Sequence, residues 1–143
     1  MKIVLAADHG GYQLKESIKT ALESEGYEIV DLGTFNEESV DYPVFAKKAG
    51  EYVVSGQADR GVLCCGTGLG MSMAANKIHG VRCAVATSDE YARLASSHNH
   101  ANMLALGGRF IEPTDALRYI KIWLETPWEG GRHDNRVALL NEL

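Results

Sequence analysis

The sequence predicts an α/β protein, a three-layer α/β/α sandwich on a five-stranded parallel sheet of the Rossmann-like or flavodoxin-like kind. Three observations carry that expectation. Short apolar runs alternate with longer stretches of helical periodicity along the 143 residues. The runs are continuously apolar, as strands covered on both faces are. Glycines or helix-capping residues punctuate the ends of these runs and periods.

Lys2 to Ala7 reads as the first strand, broken by Gly10-Gly11. From Tyr12 to Glu25, Leu14, Ile18, Ala21 and Leu22 recur at helical spacing, and Gly26 ends the helix. Tyr27 to Leu32 is a second strand, closed by Gly33. Pro43 opens a helix carrying Phe45, Ala46, Ala49 and Val53, with Gly56 beyond it. Gly61 to Cys65 is a third strand, and Gly66 to Gly70 leads into a helix through Met73 and Ala74. Arg82 to Ala86 is a fourth strand, after which Ser88-Asp89 caps a helix from Glu90 to about Ser97. Met103 to Leu106 is the fifth strand. Ala116, Leu117, Ile120, Trp123 and Leu124 form one face of a helix after Pro113, and a last helix begins near Asp134 with Arg136 exposed.

With no repeat, linker or low-complexity tract, residues 1–143 read as one domain. A formal charge of −5 argues against nucleic acid as the partner. The opening apolar run is too short for a signal peptide, and no stretch approaches membrane-spanning length. Three cysteines, Cys64, Cys65 and Cys83, form no disulfide framework, so reduced thiols and a cytoplasmic location are expected.

In such folds ligands bind beyond the carboxyl ends of the strands, where strand order reverses. The positions there are Asp8-His9, Cys65 to Gly70, Thr87 to Asp89 and Gly107 to Arg109. The stretch Cys65-Gly66-Thr67-Gly68-Leu69-Gly70 lets the backbone approach a ligand with its amides inward, which suits a phosphate, a transient oxyanion or a thiolate. It is neither a phosphatase loop, since Met71 stands where arginine is required, nor a Walker loop. Cys64 points away from Cys65 by strand alternation and reads as a core residue, as does Cys83. If the first and third loops share a site, the first and third strands are neighbours.

His98 and Asn99 lie in a polar turn between a helix and a strand, where an imidazole is the natural acid–base group near neutral pH. No spacing of histidines and carboxylates reads as a metal site. Arg132 and Arg136, four apart on a helical turn, and Arg109 after Gly107-Gly108, read together as an anion site.

These segments together resemble the ribose-5-phosphate isomerase type B family, which includes galactose-6-phosphate isomerase subunits. The resemblance runs through Asp8-His9-Gly10-Gly11, Ser39-Val40-Asp41-Tyr42-Pro43, Cys65-Gly66-Thr67-Gly68, Ala74-Ala75-Asn76-Lys77, His98-Asn99 and Gly130-Gly131-Arg132-His133. It implies a cofactor-free aldose–ketose isomerase of the pentose phosphate pathway acting on ribose 5-phosphate. Cys65 would be the base, with the amides of Gly66, Gly68, Leu69 and Gly70 and the Thr67 hydroxyl holding the enediolate. His98 would open the sugar ring with Asp8 nearby, and Asn99 would contact the sugar. His9, Arg109, Arg132 and Arg136 would bind phosphate. The family also implies dimers or tetramers with shared sites and the C-terminal helix at the subunit interface. A six-carbon sugar phosphate such as allose or galactose 6-phosphate is the alternative substrate, and a non-catalytic sugar-phosphate-binding module the alternative role. His100 stands where aspartate is usual, and Cys64 where an aliphatic is usual.

Overall fold

Every strand runs parallel to its neighbours, and the order across the sheet is β2-β1-β3-β5-β4 in a computed structural model that describes residues 1–143. The strands are β1 (Lys2–Ala7), β2 (Glu28–Asp31), β3 (Arg60–Cys65), β4 (Cys83–Val85) and β5 (Met103–Gly107). The helices are α1 (Tyr12–Ser24), α2 (Tyr42–Val54), α3 (Leu69–Ala75), α4 (Asp89–Ser97), α5 (Pro113–Glu125) and α6 (His133–Asn141). The expected elements are all present, with ends shifted by a few residues at most. Ser88 caps α4 by accepting from the Tyr91 amide at 3.1 Å.

Strand alternation sorts the core into two layers. Ile3, Leu5, Val62, Cys64, Leu104 and Leu106 face one side with residues of α1, α4 and α5. Val4, Ala6, Leu63, Cys65, Met103 and Ala105 face the other with residues of α2 and α3. Cys64 and Cys65 therefore lie on opposite faces, as their adjacency in a strand requires. Each fully buried large aliphatic side chain contributes about 1.5–3 kcal/mol of transfer free energy.

The order β2-β1-β3 is the flavodoxin pattern, and β1 and β3 are neighbours as the shared loop site requires. The remainder departs from that pattern, because β5 lies inside β4 and β4 forms the edge. Right-handed crossovers account for the layers: connections that step one way across the sheet pass over one face, and those that step back pass over the other. Hence α1 and α4 share a face, while α2 and α3 share the opposite one. No helix is long and apolar enough to cross a membrane.

One buried charge interrupts the first layer. Lys15 on α1 is 0% exposed, and its ammonium donates to both carboxylate oxygens of Asp31 at 2.7 and 2.9 Å. Asp31 also accepts from the Gly33 amide at 2.9 Å, fixing the turn that leaves β2. Burial pushes the Asp31 carboxyl up, but Lys15, the Gly33 amide and Lys19 outweigh it and hold the group below its ordinary value.

Candidate active site

Three turns meet at the carboxyl edge of β1, β3 and β5, and each is locked by local hydrogen bonds. After β1, the carboxylate of Asp8 accepts from the amides of Gly10 at 2.9 Å and Gly11 at 3.1 Å. Gly11 is obligatory, since a β-carbon there would come within 2.1 Å of the Cys64 carbonyl oxygen. After β3, the Gly68 amide donates to the Cys65 sulfur at 3.1 Å, and the Leu69 amide to the Thr67 hydroxyl at 3.1 Å. Gly68 sits at φ 82, in the left-handed region that glycine adopts without strain. After β5, the amides of Gly108 and Arg109 donate to the carbonyls of Cys65 and Gly66 at 2.7 and 3.1 Å.

Arg109 lies across these turns. A β-carbon on Gly66 would come 2.7 Å from its Nη1, and one on Gly10 would come 3.3 Å from its Nη2. One guanidinium thus covers both glycine turns, beside the Cys65 loop. His9 stands next to it, and its Nδ1 accepts from the Val40 amide at 3.2 Å. A ring nitrogen that accepts carries no proton, so the neutral imidazole keeps its N–H at Nε2. Together the turns offer a sulfur with an aimed amide, a carboxylate, an imidazole donor and a fixed cation. That set can move a proton beside a carbonyl while holding an anion.

Two of these links were not read from the sequence. Val40 orients His9 across 31 residues, and a β-carbon on Gly70 would come 2.7 Å from the Tyr42 ring. Both lie in Ser39-Val40-Asp41-Tyr42-Pro43, a segment quoted for resemblance but given no role.

His98, Asn99, Arg132 and Arg136 are elsewhere. Helix α4 starts beyond β4 and returns, so His98 and Asn99 precede β5 at the amino edge of the sheet. The neighbouring Asn102 shows this edge directly, since its carbonyl accepts from Gly61 at 3.1 Å and its side chain from Arg82 at 2.8 Å. From Gly61 to Cys65, β3 alone spans about 13 Å. One chain therefore does not bring its own His98 to its own Cys65.

The amino-edge group has its own order. His98 stacks on His133 with centroids 4.3 Å apart and planes 23° apart. Glu129 Oε2 lies 3.4 Å from Nε2 of His98 and 3.5 Å from Nε2 of His133. Burial, then Arg132 and His98, push His133 below the ordinary histidine range. Arg132 stands at the N-cap position of α6 and Arg136 lies one turn in, both exposed. Asn99 lines a groove with Asn76, Lys77, Arg82 and Leu140.

His98, Glu129 and His133 bring three donor atoms within 4.8 Å, a set that spacing in the sequence concealed. Two imidazoles and a carboxylate are a zinc donor set. Rings only 23° from parallel, however, aim their lone pairs side by side and not at one centre. The neighbouring arginines add positive charge, so the arrangement does not fit a resident cation.

Residues 3–140 match the Ribose/Galactose Isomerase family. The chain belongs to that family. It is 39% identical over 142 residues to ribose-5-phosphate isomerase B of Escherichia coli (strain K12), covering 99% of this chain and 95% of that protein. The structure of Clostridium thermocellum ribose-5-phosphate isomerase B superposes with a TM-score of 0.98 at 50% identity, covering 99% of this chain and 96% of that one. A Mycoplasma genitalium ribose-5-phosphate isomerase B structure with bound ribulose-5-phosphate gives a TM-score of 0.93 at 37% identity, over 99% and 94% of the two chains.

Proposed function

We propose that this ribose/galactose isomerase family member interconverts D-ribose 5-phosphate and D-ribulose 5-phosphate through an enediolate, with residues 1–143 acting as one catalytic domain. The observation that carries the reading is the Cys65 sulfur held 3.1 Å from the Gly68 amide in a turn that Arg109 overlies. The family match and the ribose-5-phosphate isomerase B relatives support the substrate.

In the proposed reaction Cys65, as thiolate, takes the C2 proton of the open-chain aldose. The C–H electrons form the C1–C2 double bond, and the carbonyl oxygen takes the negative charge. The turn's backbone amides from Gly66, Gly68, Leu69 and Gly70 and the Thr67 hydroxyl are assigned to that charge, which requires the Gly68 and Leu69 amides to turn from the Cys65 sulfur and the Thr67 hydroxyl as it forms; loss of one such donor in an oxyanion site costs about 2.7–4 kcal/mol. The O2 hydroxyl proton then passes to O1, the proton held by Cys65 is delivered to C1, and the C2 oxygen becomes the ketone. No electron leaves the substrate, so the chemistry calls for no redox cofactor.

His98 is assigned to ring opening with Asp8, Asn99 to sugar contact, and His9, Arg109, Arg132 and Arg136 to phosphate. The opposite-edge placement of these groups supports a site shared between subunits of a homodimer or tetramer, with α6 at the contact between them. All three cysteines are free thiols, which supports a cytoplasmic location.

The test is direct. Purified protein without added metal is offered ribose 5-phosphate and, separately, allose and galactose 6-phosphates, and ketose formation is followed. Preferential turnover of ribose 5-phosphate is expected. Faster turnover of a hexose phosphate, or binding without turnover, overturns the reading.

A further inference from the structure

We infer that Glu129 is a positioning residue for ring opening, fixing the His98 ring of the stacked pair His98–His133 from its Nε2 side so that Nδ1 is presented to the sugar. This rests on the reading of His98 as the ring-opening group.

One carboxylate oxygen lies beside both rings, 3.4 Å from Nε2 of His98 and 3.5 Å from Nε2 of His133. Glu129 is itself fixed from the α4 side, since its amide donates to the Ser97 carbonyl at 3.1 Å. His133 is 6% exposed, and its Nε2 has no hydrogen-bond partner. A buried imidazole in that state is held neutral, and its own surroundings push the same way. His98 is the more exposed ring, a third open to solvent.

Charged groups approach the stack from α4 and α6. On α4, Glu90 and Arg93 pair with each other. Arg132 and Arg136 add positive charge near His133 from α6, and Glu129 is the carboxylate beside both rings. Burial keeps His133 away from the sugar, so the more exposed His98 is the ring that Glu129 positions for proton transfer. With Nε2 of His98 turned to Glu129, Nδ1 is the nitrogen left for the sugar.

Ring opening then balances. The bond between C1 and the ring oxygen breaks, its electrons leave with that oxygen, and His98 supplies the proton it takes up. The anomeric hydroxyl gives its proton to a base, Asp8 in the proposed assignment, as the aldehyde forms.

The test uses the full chain with Glu129→Gln, Glu129→Asp and His98→Asn. Two rates are read: turnover of ribose 5-phosphate, whose ring must open, and deuterium uptake from solvent at C1 of ribulose 5-phosphate, which is acyclic. Glu129→Gln is expected to lower kcat for ribose 5-phosphate about tenfold, a part of the hundredfold or more that a general acid contributes. KM and the deuterium uptake stay within about twofold, and Glu129→Asp recovers part of kcat. Equal loss of both rates in Glu129→Gln, or no loss where His98→Asn shows the split, overturns the role of Glu129. If His98→Asn shows no split, the ring-opening assignment of His98 fails, and this inference falls with it.

Discussion

The Cys65 sulfur and the Gly68 amide nitrogen are 3.1 Å apart, in a turn that holds Gly68 at φ 82. A thiol sulfur is a weak acceptor, so an N–H aimed at it serves a thiolate better. The other two cysteines have no such donor. Burial raises the Cys64 thiol far above its ordinary value, with Cys65 adding to it. The sulfur of Cys83 packs beside the α2–α3 layer, and burial pushes it up to about 12.

Iodoacetamide near neutral pH is therefore expected to modify Cys65 and to spare Cys64 and Cys83, read by peptide mass spectrometry. Ribose 5-phosphate should slow that labelling. Modification of Cys83 ahead of Cys65 would contradict the assignment. Cys65→Ala should lose turnover while the unfolding free energy changes by roughly 1 kcal/mol, the ordinary size for one substitution.

Because Cys65 and His98 lie at opposite edges of the sheet, their single variants should complement each other. Cys65→Ala and His98→Asn proteins are each expected to be impaired alone. Unfolded together and refolded as a mixture, they form hybrids in which one of two sites is intact. For random pairing in a two-fold dimer this restores about a quarter of wild-type turnover. No recovery in a mixture shown to exchange subunits would place both groups in a site made by one chain.

The Lys15–Asp31 pair makes a stability prediction. Lys15→Met leaves a nearly buried carboxylate without its main partner, and removing one member of such a pair costs about 3–5 kcal/mol. The folded-state carboxyl of Asp31 lies below its ordinary value, so its contribution is present above the unfolded value of about 3.9 and is lost as pH falls through the folded one. Urea denaturation at pH 7 and at steps below pH 4 should show that loss. Asp31→Asn is expected to be less stable at pH 7 and to have a flatter acid limb.

The strands were legible because continuous apolar runs can be covered only on both faces, and the split of Cys64 from Cys65 followed from a two-residue period. The neighbouring of β1 and β3 followed from asking that Asp8 and Cys65 share a site. Strand order beyond that was not legible. Nothing local in Cys83–Val85 says that β5 will pair inside it. The edge on which His98 lies was available: a residue that ends a helix and precedes a parallel strand must sit at the amino edge. Lys15 also carried a signal, since it falls three before Ile18 and seven before Leu22 on the apolar stripe of α1. Glu129 gave none, because its partners His98 and His133 meet it only through the tertiary fold.

Helix α4 sets the proposed ring-opening group and the Cys65 turn of one chain apart by the full height of the sheet. On the proposed assignment, substitutions in the turn around His98 and Glu129 alter which cyclic sugars are admitted without deforming the Cys65 turn. Under the same assignment, one folded chain carries every reacting group yet completes no reaction centre by itself, so activity follows assembly and falls with dilution below the dissociation constant of the oligomer.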